Sequence, residues 1–288
     1  MNLNTLFTTK KRTLGFWFIA LLSTFGLDAA KKPTSLKIVP ATYSQCKSVI
    51  FDLGGVLFTT SSGAKFNAVV PTMFANPSLF FAMMGLNVKQ ELFKILDKVP
   101  AKTTEPMYNE GKKLPQIMVD WMTGRPSSEI RLQVLREIRR SNHSDSVKNL
   151  FRSITRLMFN PKTFANSQKP IKPMVDLAKK LKKNGYKLYV LSNWDEESFR
   201  LLKKQNTEIF NLFDGIMISG EEKLGKPNPE IYKRLLEKYN LDCRECTFID
   251  DESNNTQAAQ RFGIASIVCQ DTPAVCKELI NLGVMALS

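Results

Sequence analysis

The spacing of apolar positions changes along the chain. Between about residues 65 and 168, apolar side chains recur at three- and four-residue intervals, as in 88–99, 114–122 and 147–159. This period is typical of helices that bury one face, and no stretch of the region alternates as a half-buried strand does. The region therefore predicts a continuous run of helices.

A second pattern follows, in which helical stretches alternate with short apolar runs. Strands joined by single helices form right-handed crossovers and hence a parallel sheet. The apolar run at 48–51 supplies one more strand ahead of the helical region. The predicted fold class is α/β, a Rossmann-like parallel sheet core with an inserted all-helical domain. The strands are predicted at 187–191, 215–219, 247–249 and 266–269, and the helices at 171–183, 196–204, 229–238, 254–262 and from Pro273.

The N-terminal segment, residues 1–30, has the three-part layout of an export signal. A basic run at 10–12 precedes an apolar stretch, and small residues follow. The apolar stretch, about 14 residues, is shorter than the roughly 20 that span a bilayer. We predict an exported protein or one anchored to the membrane through this segment; the alternative is a cytoplasmic protein with an apolar N-terminal helix.

The remaining chain divides into three parts. Residues 31–45 are polar, contain two prolines and predict a linker. Residues 46–64 and 168–288 predict the α/β core, and residues 65–167 the helical insertion.

The net charge indicates the class of partner, and the cysteine content indicates whether disulfides support the fold. The formal net charge of +14 favours anionic partners. No run of basic residues exceeds three, so we expect phosphorylated small molecules rather than nucleic acid. The five cysteines are too few for a disulfide scaffold, and Cys243 and Cys246 form a CxxC without a second pair or a nearby histidine. Cys246 is predicted to be a buried residue at the start of a strand.

Polar residues follow four of the predicted strands. Asp52 ends the first strand and precedes a Gly-Gly pair, and the other positions are Ser192, Asn193, Lys226, Asp250 and Asp251. In an open α/β sheet these carboxyl ends meet at one edge, where ligands bind. A hydroxyl, an amide, an ammonium and three carboxylates are therefore predicted to converge. The alternative interpretation is that the acids only cap helices, the Ser-Asn pair forms a turn and the lysine is solvated.

The ordered set of motifs resembles the haloacid dehalogenase-like (HAD-like) hydrolase superfamily. The insertion after the first motif resembles the helical cap of its phosphatase branch, placed between motifs one and two. The resemblance implies a Mg²⁺-dependent phosphatase. The motifs are Phe51-Asp52-Leu53-Gly54-Gly55-Val56-Leu57, Leu191-Ser192-Asn193, Gly225-Lys226-Pro227 with Ile231-Tyr232, and Phe248-Ile249-Asp250-Asp251 with Asn255.

The resemblance also implies a role for each motif residue. Asp52 would attack phosphorus and bind Mg²⁺, with the backbone carbonyl of Gly54 and the carboxylate of Asp251 as further ligands. Asp250 would hold a metal-bound water. Ser192 and Asn193 would donate hydrogen bonds to the phosphoryl oxygens, and Lys226 would neutralise charge and orient the nucleophile. Asn255 is either part of this set or a helix-start residue.

One position departs from the family pattern. Phosphatases of this family usually carry a second aspartate two residues after the nucleophile, and here that residue is Gly54. General acid–base catalysis contributes about 10²–10⁴-fold in rate, so its loss predicts slow turnover. We predict a phosphatase of small phosphorylated metabolites that acts through an aspartyl-phosphate intermediate. One alternative is a catalytically weakened binding protein. A second is a 2-haloacid dehalogenase, which is less favoured because the adjacent acids Asp250 and Asp251 suit a cation that dehalogenation does not need.

Overall fold

The structure is a computed structural model that describes residues 45–61 and 87–285. The described strands are β1 (Ser48–Phe51), β2 (Phe58–Thr60), β3 (Tyr108–Asn109), β4 (Lys112–Lys113), β5 (Gln168–Pro170), β6 (Lys187–Ser192), β7 (Gly215–Ile218), β8 (Cys246–Asp250) and β9 (Ala265–Val268). The described helices are α1 (Val88–Leu96), α2 (Gln116–Met122), α3 (Ser127–Arg140), α4 (Asp145–Met158), α5 (Pro161–Ser167), α6 (Lys172–Lys183), α7 (Glu196–Gln205), α8 (Thr207–Phe210), α9 (Ser219–Glu222), α10 (Pro229–Lys238), α11 (Ser253–Arg261) and α12 (Thr272–Asn281).

A five-stranded parallel sheet forms the core, in the order β7-β6-β1-β8-β9. The first strand lies at its centre, where Phe51 is level with Val190 of β6 and Ile249 of β8. Every residue of this strand is buried, as its continuous apolar run predicts for a strand covered on both faces. The predicted parallel α/β sheet is confirmed.

The insertion is connected to the sheet domain through a two-stranded antiparallel ribbon. In this ribbon β2 pairs with β5, so that Phe58 lies opposite Pro170 and Thr60 opposite Gln168. Neither strand of the ribbon was predicted, because three-residue strands are too short for an alternating pattern. The predicted limit at residue 65 lies outside the described residues.

Helices α1 to α5 build the described part of the insertion around a hydrophobic core of its own. That core includes the fully buried Ile117, Ile130, Val134, Leu150 and Phe151. The insertion is not all-helical, however. The short hairpin β3–β4 turns at Glu110 and Gly111, whose φ angles are 53° and 72°. Strands of two residues are too short to leave any periodic pattern in the sequence.

The structure also shows the state of the cysteines and whether any described helix could span a membrane. Cys246 opens β8 and is buried, as predicted, and burial raises the pKa of its thiol to about 12. All five cysteines lie within the described residues, and no disulfide joins them. The predicted signal or anchor, residues 1–30, lies outside those residues. In the part of the chain that the structure describes, no helix has both the length and the apolar character needed to cross a membrane.

Candidate active site

Three carboxylates meet at the carboxyl edge of the sheet. Asp52 follows β1 directly, and Asp250 is the last residue of the adjacent strand β8. The backbone N–H of Asp52 donates to the carbonyl of Ile249 at 2.9 Å, which extends the strand pairing by one residue. Oxygen atoms of Asp52, Asp250 and Asp251 lie within 4.8 Å of one another. The sheet register therefore creates the acidic cluster.

Lys226 lies between two of these acids. Its side chain is only 1% exposed, and its Nζ donates to Asp52 Oδ1 at 2.7 Å and to Asp250 Oδ2 at 2.6 Å. A third bond reaches the carbonyl of Leu191 at 2.8 Å. Burial alone would lower the pKa of Lys226, but the carboxylates of Asp250 and Asp52 outweigh it and raise the pKa above its ordinary value of 10.5. The buried ammonium therefore stays charged at neutral pH.

Asn193 holds the loop that carries Lys226. Its Nδ2 donates to the carbonyl of Lys226 at 2.7 Å, and its Oδ1 accepts from the N–H of the same residue at 2.8 Å. The Oδ1 atom and one N–H of Nδ2 are thus bonded to backbone groups, and the second N–H of Nδ2 can serve another acceptor. The structure places this amide as a support for Lys226, whereas the resemblance implied a donor to phosphate. Ser192 is buried at the end of β6, beside the lysine's third partner Leu191.

Asp250 is held from several sides. Its Oδ1 accepts from the backbone N–H of Glu252 at 2.8 Å, and Asn255 Nδ2 lies 3.1 and 3.2 Å from its two oxygens. Burial raises the pKa of Asp250, Lys226 opposes that rise and the charge of Asp52 adds to it. Asn255 is 6% exposed, and its buried Oδ1 has no hydrogen-bond partner among the described residues. An unpaired buried acceptor beside the acids suits a donor bound at the cluster, such as a water molecule.

The glycines after Asp52 shape the space around the cluster. Gly55 has φ +72°, and a Cβ there would lie 2.4 Å from Asp251 Oδ2, so the carboxylate occupies room that only glycine leaves. A Cβ on Gly54 would be 3.8 Å from the Trp194 ring and 3.9 Å from Asp52 Oδ2, which is ordinary contact. Three carboxylates that share one space are oxygen donors of the kind that Mg²⁺ prefers. The donor set therefore fits a divalent cation.

Sequence reasoning missed two contributors to this site. Trp194 follows the Ser-Asn pair; its indole N–H donates to Ser198 Oγ at 2.9 Å, and its ring faces Gly54. Glu252 accepts a hydrogen bond of 2.9 Å from the N–H of Gly111, which belongs to the hairpin of the insertion. Glu252 was visible in the sequence only as a third acid after Asp250 and Asp251. Its partner could not be predicted, because the hairpin itself left no pattern.

Comparison with known proteins places these features in a wider context. A sequence model of haloacid dehalogenase-like hydrolases matches residues 46–263. The sesquiterpene phosphatase astK of Aspergillus oryzae is 27% identical over 236 residues, which cover 82% of this chain and 96% of that protein. Bifunctional epoxide hydrolase 2 of Rattus norvegicus is 31% identical over 111 residues, but the match spans 38% of this chain and only 20% of that enzyme.

Solved structures with the same fold are also found. A HAD-family enzyme of Bacteroides thetaiotaomicron, solved in complex with magnesium and inorganic phosphate, is 22% identical with a TM-score of 0.50 and covers 79% of this chain and 97% of its own. A predicted HAD-like hydrolase of Porphyromonas gingivalis is 18% identical with a TM-score of 0.50, covering 82% and 98%. At these identities the likeness shows a shared fold.

Proposed function

Because the chain belongs to the haloacid dehalogenase-like hydrolase family, we propose that it is a Mg²⁺-dependent phosphatase of small phosphorylated metabolites. The observation that carries this proposal is the buried Lys226, which bridges Asp52 and Asp250 beside the third acid Asp251. The full-length similarity to a sesquiterpene phosphatase supports the phosphatase branch, and so does the magnesium and phosphate complex of a protein with the same fold.

The charges of the cluster favour a cation. The three carboxylates carry −3 when ionised and the Lys226 ammonium +1, which leaves −2. Such a site would repel a phosphate group unless a further cation is bound. Mg²⁺, held by Asp52 and Asp251 with the Gly54 carbonyl, would supply the positive charge that screens the phosphoryl oxygens. Asp250 would then act beside the ion, where Asn255 and Lys226 fix its two oxygens.

The residues of the chain suggest a reaction in two displacements. A carboxylate oxygen of Asp52 attacks phosphorus, the bond from phosphorus to the ester oxygen breaks, and the leaving oxygen takes a proton. Water then attacks the phosphorus of the aspartyl-phosphate, which releases inorganic phosphate and restores Asp52. Lys226 orients the nucleophile throughout, since it donates to Asp52 Oδ1. Covalent catalysis of this kind divides one difficult step into two easier ones.

The proton of the first step has no side-chain donor at position 54. If water protonates the leaving oxygen in place of that acid, an ester with a good leaving group loses less than an alkyl phosphate does. We expect slow hydrolysis of sugar and terpenyl phosphates and faster hydrolysis of aryl phosphates. Glycine at position 54, in place of the usual aspartate, is therefore expected to lower the rate of the reaction and to leave the type of reaction unchanged.

A phosphate-release screen tests this function. The purified protein is assayed on sugar, glycerol, terpenyl and aryl phosphates with Mg²⁺ and with EDTA, beside Asp52→Asn and the control Asp176→Asn on the exposed side of α6. We expect Mg²⁺-dependent release that Asp52→Asn abolishes and the control retains. Release that persists in Asp52→Asn, or no release from any ester, would reject the proposal. Halide release from 2-haloacids in EDTA would identify a dehalogenase instead.

A further inference from the structure

The β3–β4 hairpin is one part of the insertion that reaches the strand-end loops. Met107, just before it, is 2% exposed, and its Cε would lie 2.2 Å from a Cβ on Gly225. Glu105 Oε2 accepts from Asn228 Nδ2 at 3.0 Å. Gly225 and Asn228 flank Lys226 on both sides. The base of the hairpin is therefore packed against the loop that delivers the active-site lysine.

The tip of the hairpin is attached to the acidic cluster. The N–H of Gly111 donates to Glu252 Oε2 at 2.9 Å, and Glu252 is a carboxylate only 7% exposed. The same carboxylate accepts from Asn254 Nδ2 at 2.8 Å, and its own backbone N–H bonds to Asp250. Glu252 follows Asp251 directly. The turn of the hairpin is therefore connected through Glu252 to Asp251, one of the proposed metal ligands.

The strand that follows this turn carries two adjacent lysines. Lys112 and Lys113 are exposed, and neither forms an ion pair with a described residue. With the Glu110 carboxylate at the turn, the hairpin keeps a net charge of +1 from two ammonium groups and one carboxylate. Successive residues of a strand point to opposite faces, so one of the two lysines lies on each face of the hairpin. Gly111, which contacts Glu252, immediately precedes Lys112.

We propose that Lys112 and Lys113 place one ammonium group at the mouth of the site, where it binds a second anionic group of the substrate, a phosphate or a carboxylate carried near the scissile phosphate. This inference deepens the proposed phosphatase function and rests on it. The bond from Gly111 to Glu252 sets the position of the lysines relative to the reacting phosphate. The second anion binds at the mouth of the site, while Lys226 and the acids act on the first. The substrate class is therefore a phosphate ester with at least two anionic groups.

Charge attraction explains why such a site selects among substrates. An ammonium at the rim attracts an anion over several ångströms, and dissolved salt screens this attraction. Charge-assisted contacts are about twice as strong as neutral ones. We expect about fivefold to tenfold tighter binding of an ester with two anionic groups than of the matched ester with one.

Matched substrate pairs test the proposal. Fructose 1,6-bisphosphate is compared with fructose 1-phosphate, and 3-phosphoglycerate with glycerol 3-phosphate, so that the second anion is a phosphate in one pair and a carboxylate in the other. The KM values are measured for wild type, Lys112→Ala, Lys113→Ala and the double variant. Lys277→Ala, an exposed lysine on α12, is the control. Calorimetry with Asp52→Asn measures binding of the same compounds without turnover.

We expect the doubly anionic member of at least one pair to have the lower KM and the lower Kd. The preference should disappear in the double variant, decrease with salt and persist in Lys277→Ala, while the KM of the esters with one anionic group changes less than twofold. Equal constants within both pairs, or a preference that survives in the double variant, would overturn the inference. Absence of turnover alone would count against the phosphatase, and the Kd ratio would still decide the second site.

Discussion

Replacing Gly54 by aspartate should increase the rate of phosphate release. The position tolerates a side chain, because a Cβ there would make only ordinary contacts of 3.8 Å with Trp194 and 3.9 Å with Asp52 Oδ2. The backbone of Gly54 also lacks the positive φ that would strain such a residue, unlike its neighbour Gly55 at φ +72°. The new carboxyl would lie beside the nucleophile, where the leaving oxygen departs.

The size of the effect follows from the role of the missing acid. A general acid contributes about 10²–10⁴-fold, and the lower limit corresponds to about 2.7 kcal/mol of barrier. We adopt that lower limit, about a hundredfold in kcat for alkyl phosphates, because the surrounding side chains have not adapted to an acid at this position. Neighbouring carboxylates disfavour a further negative charge, which helps the new carboxyl to hold its proton. Aryl phosphates should gain only a few-fold, since their leaving groups need no proton.

The assay is steady-state phosphate release by wild type, Gly54→Asp and Gly54→Ala. The alanine variant adds the Cβ without the acid, so it separates proton transfer from changes in packing. We expect a large kcat increase in Gly54→Asp only, and thermal unfolding midpoints close to wild type in both variants. A folded Gly54→Asp with unchanged kcat on alkyl phosphates would refute the argument that the missing acid limits turnover.

Three further outcomes are expected. Lys226→Met leaves two buried carboxylates unpaired, so chemical denaturation should show a loss of about 3–5 kcal/mol, with Lys277→Met near wild type. The pKa of Lys226 is raised in the folded protein, so its contribution to stability is complete below pH 10.5 and is lost as the pH rises through the folded pKa. The difference in unfolding free energy between wild type and Lys226→Met should therefore stay constant between pH 7 and 9, and a decrease over that range would contradict this reasoning. Glu252→Ala removes the acceptor for the N–H of Gly111 and should raise the KM about fivefold, and Glu252→Gln should have an intermediate effect. An unchanged KM in Glu252→Ala would show that the position of the hairpin does not depend on this contact. The N-terminal segment is tested by cell fractionation and by N-terminal sequencing of the native protein. We expect either that residues 1–30 are removed or that the protein is found in the membrane fraction. A soluble cytoplasmic chain starting at Met1 would exclude export.

Much of the core could be predicted because its signals are local. The run at 48–51 is apolar enough to identify a central strand, and the acids at 52, 250 and 251 stand at strand ends, where parallel pairing brings them together. The lysine at 226 was assigned through its motif. These features depend on residue type and sheet topology alone.

The missed features leave no periodic pattern in the sequence. The ribbon of β2 and β5 joins strands of three residues each, and the hairpin at 108–113 has strands of two. Neither is long enough to show a period. The bonds from the amide of Asn193 to the backbone of Lys226 could not be predicted either, because they depend on the path of the loop at Lys226; its donation to phosphate stays a prediction.

The two-stranded ribbon has a consequence for the evolution of this chain. The backbone N–H of Ser61 donates to the carbonyl of Ser167 at 2.8 Å, and Gln168 Nε2 donates to Thr60 Oγ1 at 3.3 Å, so the two ends of the insertion are neighbours in space. A segment whose ends meet can be exchanged for another of different length without moving the strands that carry the acids. Recombination between homologues at this junction would yield chimeras that keep the chemistry and acquire new selectivity.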